Sequence, residues 1–163
     1  MYKIRLLILL LASLAFVSCS TDNRTSKIQL SVAYISGEYD GLLLSNKLKG
    51  FLNNFGMLNN SSNYEVRGTI SHSNNLFITN IDNTSDRERV ESSVEIKVYD
   101  KVNKCFTHSF NENISQFYIL ASSDSFSSNK TAIEEIKFSN TEYFVRNFIN
   151  SLSKETLVCN EIE

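Results

Sequence analysis

The sequence predicts an α+β domain in the order β-α-β-β-β-α, a four-stranded, mainly antiparallel sheet with two helices packed on one face. Three observations predict it. Val90, Ser92, Val94, Ile96 and Val98 alternate with Glu91, Ser93, Glu95, Lys97 and Tyr99, the two-residue period of a strand with one wet face. Ile133, Ile136, Phe144, Phe148 and Leu152, widened by Val145 and Ile149, fall in one stripe of a long helix. Three strand-like segments follow one another across short polar links, which makes an antiparallel meander, and both helices need an apolar face to cover.

Taken in order, Ile28, Leu30, Val32 and Tyr34 alternate with Gln29, Ser31 and Ala33, a first strand. Gly37 and Gly41 bracket a turn, with Asp40 placed to cap the next element. Leu44, Leu48, Phe51, Leu52 and Phe55 recur at helical spacing. Gly56 ends that helix where a left-handed residue is wanted. The second strand starts at Tyr64, Val66, Gly68 and Ile70, and an interruption at Ser73 to Asn75 is expected before it resumes over Leu76 to Ile81. Asp82 to Asp86 reads as a turn. The third strand follows, Asp100 to Lys104 turns the chain back, and a fourth strand runs with a bulge from Phe106 to about Leu120. Ser122 to Asn129 reads as a loop, with Ser128 or Asn129 capping the last helix. Glu134 and Glu135 complement its dipole.

Ahead of this domain lies a leader. Lys3 and Arg5 precede an apolar run from Leu6 to Val17, broken by Ser13 alone, and Ser18 and Cys19 follow. That is the pattern of a secretory signal peptide, too short to span a bilayer comfortably. Phe16-Val17-Ser18-Cys19 resembles a bacterial lipobox, which makes Cys19 the acylated first residue of the mature protein. The alternative is an ordinary cleaved signal with an incidental cysteine. Acyl chains contribute about 0.8 kcal/mol per buried methylene, so two or three of them anchor a protein durably. Ser20 stands where inner-membrane lipoproteins carry a retention Asp, which favours the outer membrane. The chain thus divides into a signal peptide (1–18), a lipidated tether (19–26), a domain (27–153) and a flexible charged tail (154–163).

Lys3 and Arg5 are two of the 16 basic residues and the leader has no acid, so the mature chain carries 14 Lys and Arg against 18 Asp and Glu, a net charge of −4. A general nucleic-acid binder should be basic, so no nucleic-acid partner is expected. Beyond Cys19 there remain Cys105 and Cys159, an even pair in a compartment that permits disulfides. A bridge between them and two unpaired cysteines are both open from the sequence.

Nothing in the chain needs catalysis to explain it, so no enzyme, cofactor or metal is expected. His72 and His108 stand alone without metal-ligand spacing. No glycine-rich phosphate loop or nucleophile elbow occurs. Glu134 and Glu135 are adjacent on a helix and diverge by about 100°, so they do not form a carboxylate pair. Two features read as binding elements. Asp86-Arg87-Glu88-Arg89 brings two guanidiniums to the head of the third strand, where they suit phosphate or carboxylate unless the interleaved acids neutralise them. Phe106, Phe110, Phe117, Tyr118 and Phe126 give the fourth strand and its loop an aromatic excess, which marks a partner surface wherever the helices do not cover it.

The residues together resemble the LPS-assembly lipoprotein family, LptE. The resemblance runs from about Ile28 to Leu152. It is carried by Arg89 to Asp100 as the third strand, by Ser115-Gln116-Phe117-Tyr118 before the last helix, and by Asn46-Lys47-Leu48 with Phe51-Leu52 in the first helix. It implies an outer-membrane lipoprotein that sits as a plug within the lumen of the β-barrel LptD. There it would help the barrel assemble and place lipopolysaccharide in the outer leaflet. The partners it implies are that barrel, lipopolysaccharide and the membrane through its lipid. It also implies lipopolysaccharide contacts at basic positions, matched here by Arg87, Arg89 and Lys130. A second reading is an auxiliary lipoprotein of another envelope lipid-transport system that plugs no barrel.

Overall fold

The computed structural model describes residues 28–78, 86–119, 126–154 and 156–159. The signal peptide and the lipidated tether, with Cys19, lie outside the described residues. The elements are β1 (Ser31–Ser36), α1 (Glu38–Asn54), β2 (Tyr64–Ile78), β3 (Asp86–Asp100), β4 (Cys105–Ile119) and α2 (Phe126–Leu152). They form one sheet in the order β1-β2-β3-β4. The α+β class and the β-α-β-β-β-α order are those the sequence predicts. β1 and β2 are parallel and joined across α1, while β2, β3 and β4 are antiparallel neighbours. A parallel pair needs such a crossover, and a meander needs only tight links.

The two ends of the sheet differ. At the turn end, residues 101–104 connect β3 to β4 and β1 begins at Ser31. At the loop end, β3 begins, β4 finishes and α2 starts.

Strand alternation decides which face each residue takes. Val66, Ile70, Val90, Val94, Ile96 and Val98 are buried beneath the helices. α1 covers β1 and β2, and α2 covers β3 and β4. From α1 come Leu44, Leu48 and Leu52, and from α2 come Phe144, Val145, Phe148, Ile149 and Leu152. These recur three or four apart, as a helix requires to present one face. Each buried Leu or Phe contributes roughly 1.5–3 kcal/mol by leaving water.

Several local expectations are corrected. β2 runs without interruption through Ser73, Asn74 and Asn75, which pair with Glu91, Val90 and Arg89. Alternation sends Ser73 and Asn75 to the wet face, and the Asn74 amide donates to Glu88, so polar side chains cost the strand nothing there. Gly37, not Asp40, precedes α1 as its cap, and no side chain caps the helix. Asp40 lies in the first turn with Glu38, where carboxylates complement the dipole. α2 begins at Phe126 rather than at Ser128 or Asn129. Asp86 belongs to β3, while 82–85 of the expected turn lie outside the described residues.

Two other features follow the sequence reading. Gly56 has φ +65 just past Phe55, the C-cap of α1, a conformation that costs glycine little. The bulge of β4 falls at Thr107, because Val98 pairs with His108 and Tyr99 with Phe106. The tail expected to be loose is held at two points. Leu157 packs against the core, and Cys159 is joined to Cys105 as a disulfide, with 5.7 Å between their Cα atoms.

Candidate functional site

The face of the sheet away from the helices is polar over its middle, with Tyr99 and Phe106 packed edge to face at the turn end. Across its centre, Thr69, Ser71, Ser93, Asn111 and Asn113 line a shallow hollow of about 410 Å³. The Ser71 and Ser93 hydroxyls meet at 2.8 Å. Charges on this face pair along their own strands, Arg67 with Glu65 at 2.7 Å and Lys97 with Glu95 at 2.6 Å. Exposed pairs of this kind contribute little to stability.

At the loop end this face changes character. Arg87 pairs in register with Phe77 and Ile119, and Arg89 with Asn75 and Phe117. Arg87 is exposed, Ile119 is 70% exposed and Phe117 55%. Arg89 is oriented by neighbours. Its Nη2 lies 2.6 Å from Glu91 Oε1. Its Nε and Nη2 donate to Ser115 Oγ at 3.3 and 3.2 Å, and its guanidinium sits 5.7 Å from the Phe117 ring. Two guanidiniums thus stand beside exposed apolar side chains, an arrangement matched to a molecule with an anionic group and an apolar body.

Glu88 does not neutralise this pair. Its position in β3 faces the helices, where it accepts from Asn74 and from the Tyr118 hydroxyl at 2.6 Å. Burial, and then the adjacent carboxylate, push the Tyr118 phenol well above its ordinary value. The acid that does meet Arg89 is Glu91, two residues along the same face.

Lys130 is not brought to the arginines. It is exposed in the first turns of α2, and α2 lies across the sheet from the face that carries Arg87 and Arg89. The three cations share the loop end of the molecule but not one surface.

Both histidines have structural partners. His108 is buried, with Nε2 2.9 Å from Ser151 Oγ. His72 is half-buried between sheet and α2, with Nδ1 2.7 Å from Ser92 Oγ and Nε2 3.5 Å from Thr141 Oγ1. Burial lowers its pKa below the usual 6.5. Lys137 adds to that, and Asp40 and Glu134 oppose it.

The His72–Ser92 contact belongs to a buried polar layer that the sequence reading missed. Asn140 donates to Ser92 Oγ at 2.8 Å, and Gln116 donates to Asn140 Oδ1 at 2.5 Å. Asn140 and Thr141 are fully buried and Ser92 nearly so. A signal was present, because Ser92 interrupts the apolar phase of β3 and Asn140 falls on the helical stripe between Ile136 and Phe144. Among the described residues no group of three or more His, Cys, Asp or Glu is placed to hold a metal ion.

Comparison with known proteins bears on this arrangement only through the fold. No protein-family model matches the sequence, and no curated protein matches it. Solved structures do. The rare lipoprotein B from Shewanella oneidensis is similar at TM-score 0.56 and 14% identity, over 77% of this chain and 97% of that one. A minor lipoprotein from Acinetobacter baumannii is similar at TM-score 0.54 and 13% identity, over 79% and 94%. At these identities the likeness is one of fold, and the fold is one that bacterial lipoproteins adopt.

Proposed function

We propose that this chain is an outer-membrane lipoprotein, acylated on Cys19, that acts as the plug subunit of the lipopolysaccharide translocon. It occupies the lumen of the LptD barrel, helps it assemble and touches lipopolysaccharide during its delivery to the outer leaflet. The role is binding and assembly without turnover. The observation that carries this reading is the loop end of the open face, where Arg87 and Arg89 stand beside Phe117 and Ile119. Lipid A joins phosphate groups to acyl chains. A guanidinium fork suits the first and exposed apolar side chains suit the second. The lipobox-like stretch ending at Cys19 and a fold shared with bacterial lipoproteins support the same reading.

The test has two arms. The full chain, expressed with the barrel protein of its own organism, should co-purify with it and be shielded from protease by it. Arg87→Asp with Arg89→Asp should weaken lipopolysaccharide binding in a salt-sensitive way while leaving the barrel complex intact. Equal lipopolysaccharide binding by both proteins removes the arginines from the mechanism. Failure of the wild-type chain to associate with the barrel leaves the auxiliary-lipoprotein reading.

A further inference from the structure

The sheet has two edges, built differently. β1 is six residues long and its register is irregular between Val32 and Ile35. The chain just before it is occupied by a loop, with Leu30 N donating to Met57 O and Asn59 N donating to Leu30 O, each at 2.8 Å. A short, bent and partly covered strand is how folded proteins protect an edge. β4 has none of this over most of its length. It is fifteen residues long with a bulge near one end, and its pairing to β3 is unbroken from His108 to Ile119. Among the described residues no strand pairs with its outer side.

The residues of β4 add to the contrast. The strand contains no Lys, Arg or Pro, and Glu112 is its single charged side chain. Glu112 does not guard the edge, because Asn147 Nδ2 lies 3.1 Å from both of its oxygens on the helix side. On the open side, Ser109, Asn111, Asn113 and Ser115 are small and polar, so a further strand can approach and find hydrogen-bonding neighbours.

We infer that the outer edge of β4 over Ser109–Gln116 is a docking edge, at which an extended segment of the partner polypeptide adds as a fifth strand. The inference rests on the barrel-partner reading and gives that contact a site. A second copy of this chain is the weaker occupant. Glu112 is the midpoint of β4, so antiparallel self-pairing in full overlap sets two carboxylates directly opposite, which destabilises a sheet. A different strand avoids this. Main-chain hydrogen bonds give such an addition its affinity, and alternate side chains give it specificity. The chemistry that fits is an alternating segment. Its helix-side residues are apolar beside Phe110 and Ile114, with Lys, Arg or Asn facing Glu112. Its open-side residues are Ser, Thr or Asn.

Hydrogen exchange on the full chain, free and in complex with the co-expressed barrel protein, tests this. Peptides within Ser109–Gln116 should exchange about tenfold more slowly in the complex, while Val66–Ile70 in the interior strand β2 stays unchanged. A complex that forms with unaltered exchange over Ser109–Gln116 overturns the docking edge and leaves the plug reading standing. Slowing in the isolated protein that grows with its concentration makes a second copy the occupant and overturns the inference. No complex at all overturns the plug reading, and the docking edge with it.

Discussion

The two halves of the contact between α2 and the sheet are made of different matter. Toward the turn end, Phe144, Phe148 and Leu152 meet Val94, Ile96 and Val98, and all are buried. Phe148 also packs at 6.0 Å from the rings of both His108 and Phe110. Toward the loop end, Asn140 and Thr141 meet Ser92, His72 and Gln116 through hydrogen bonds, and Tyr118 bonds to Glu88. Apolar burial is non-directional and tolerates small shifts, whereas a buried hydrogen bond has one geometry and is costly to leave unmade. The first half therefore supplies stability. The second sets the rotation and height of α2 on the sheet, at the end where the arginines and the start of α2 lie.

The sharpest way to break this division is in the apolar half. Phe148→Asp places an unpaired charge in a fully buried position and should cost about 4 kcal/mol or more, enough to unfold the domain. Loss of the cooperative thermal transition is the expected result, and an unchanged melting temperature would mean that the stripe faces solvent.

In the polar half the expected effect is smaller. Asn140→Ala leaves the Gln116 amide without its partner and Ser92 Oγ with His72 alone, at a cost of about 1–3 kcal/mol. Urea unfolding should show a lower midpoint with the same slope, because the apolar half stays folded as one cooperative unit with the rest.

A pH series sharpens the comparison further. The folded-state pKa of His72 lies below its ordinary 6.5 because burial disfavours the imidazolium. Below pH 6.5 the unfolded chain binds the proton more readily, so this contribution to stability is complete above that value. It is lost as pH falls from about 6.5 toward the folded-state pKa. Asp100 and Glu142 have pKa values held below the carboxylate range, Asp100 chiefly by the Asn103 backbone N–H and Glu142 chiefly by Arg146. Their losses come at lower pH, below about 4. Melting temperature should fall between pH 7 and pH 5.5 in the wild type and fall less in His72→Gln. Parallel pH profiles for the two proteins would place the titration elsewhere.

The least effect is expected outside the interface. Arg87→Asp changes an exposed side chain on the far side of the sheet and should move stability by about 0.5 kcal/mol or less. Its melting curve should overlay the wild type, so that any change in lipid binding reports on contact rather than folding.

The halves were also unequally legible in the sequence. Val90 to Val98 and the stripe from Phe144 to Leu152 announce the apolar half, because burial repeats with the period of its element. Ser92 and Asn140 belong to the same two patterns but break them, and a polar residue on an apolar stripe has no local meaning until its partner 48 residues away is in place. The same limit applies at the candidate site. The Arg87–Arg89 pair is visible in the chain. That Glu88 turns to the opposite face and bonds Tyr118, while Glu91 takes Arg89, follows from strand alternation and cross-strand register together. Lys130 and the arginines are near one another in the order of elements, yet they are separated by the thickness of the sheet. The start of α2 at Phe126 was missed because Ser127, Ser128 and Asn129 read locally as a loop, and only the continuing helix overrides them.

The parallel entry of β1 beside β2 sets a reach. Ile28 packs against the core just ahead of β1 at the turn end, and twelve steps along β2 separate Glu65, opposite Tyr99, from Phe77, opposite Arg87. At about 3.3 Å per residue that is a span of about 40 Å. The nine residues 19–27, however arranged, extend no more than about 30 Å. On the proposed reading, an acyl group on Cys19 moors one end of a rigid bar, and the arginines ride at the other. Because the span exceeds the tether's reach, tilting the bar against the membrane changes the height of the guanidiniums by more than stretching the tether can.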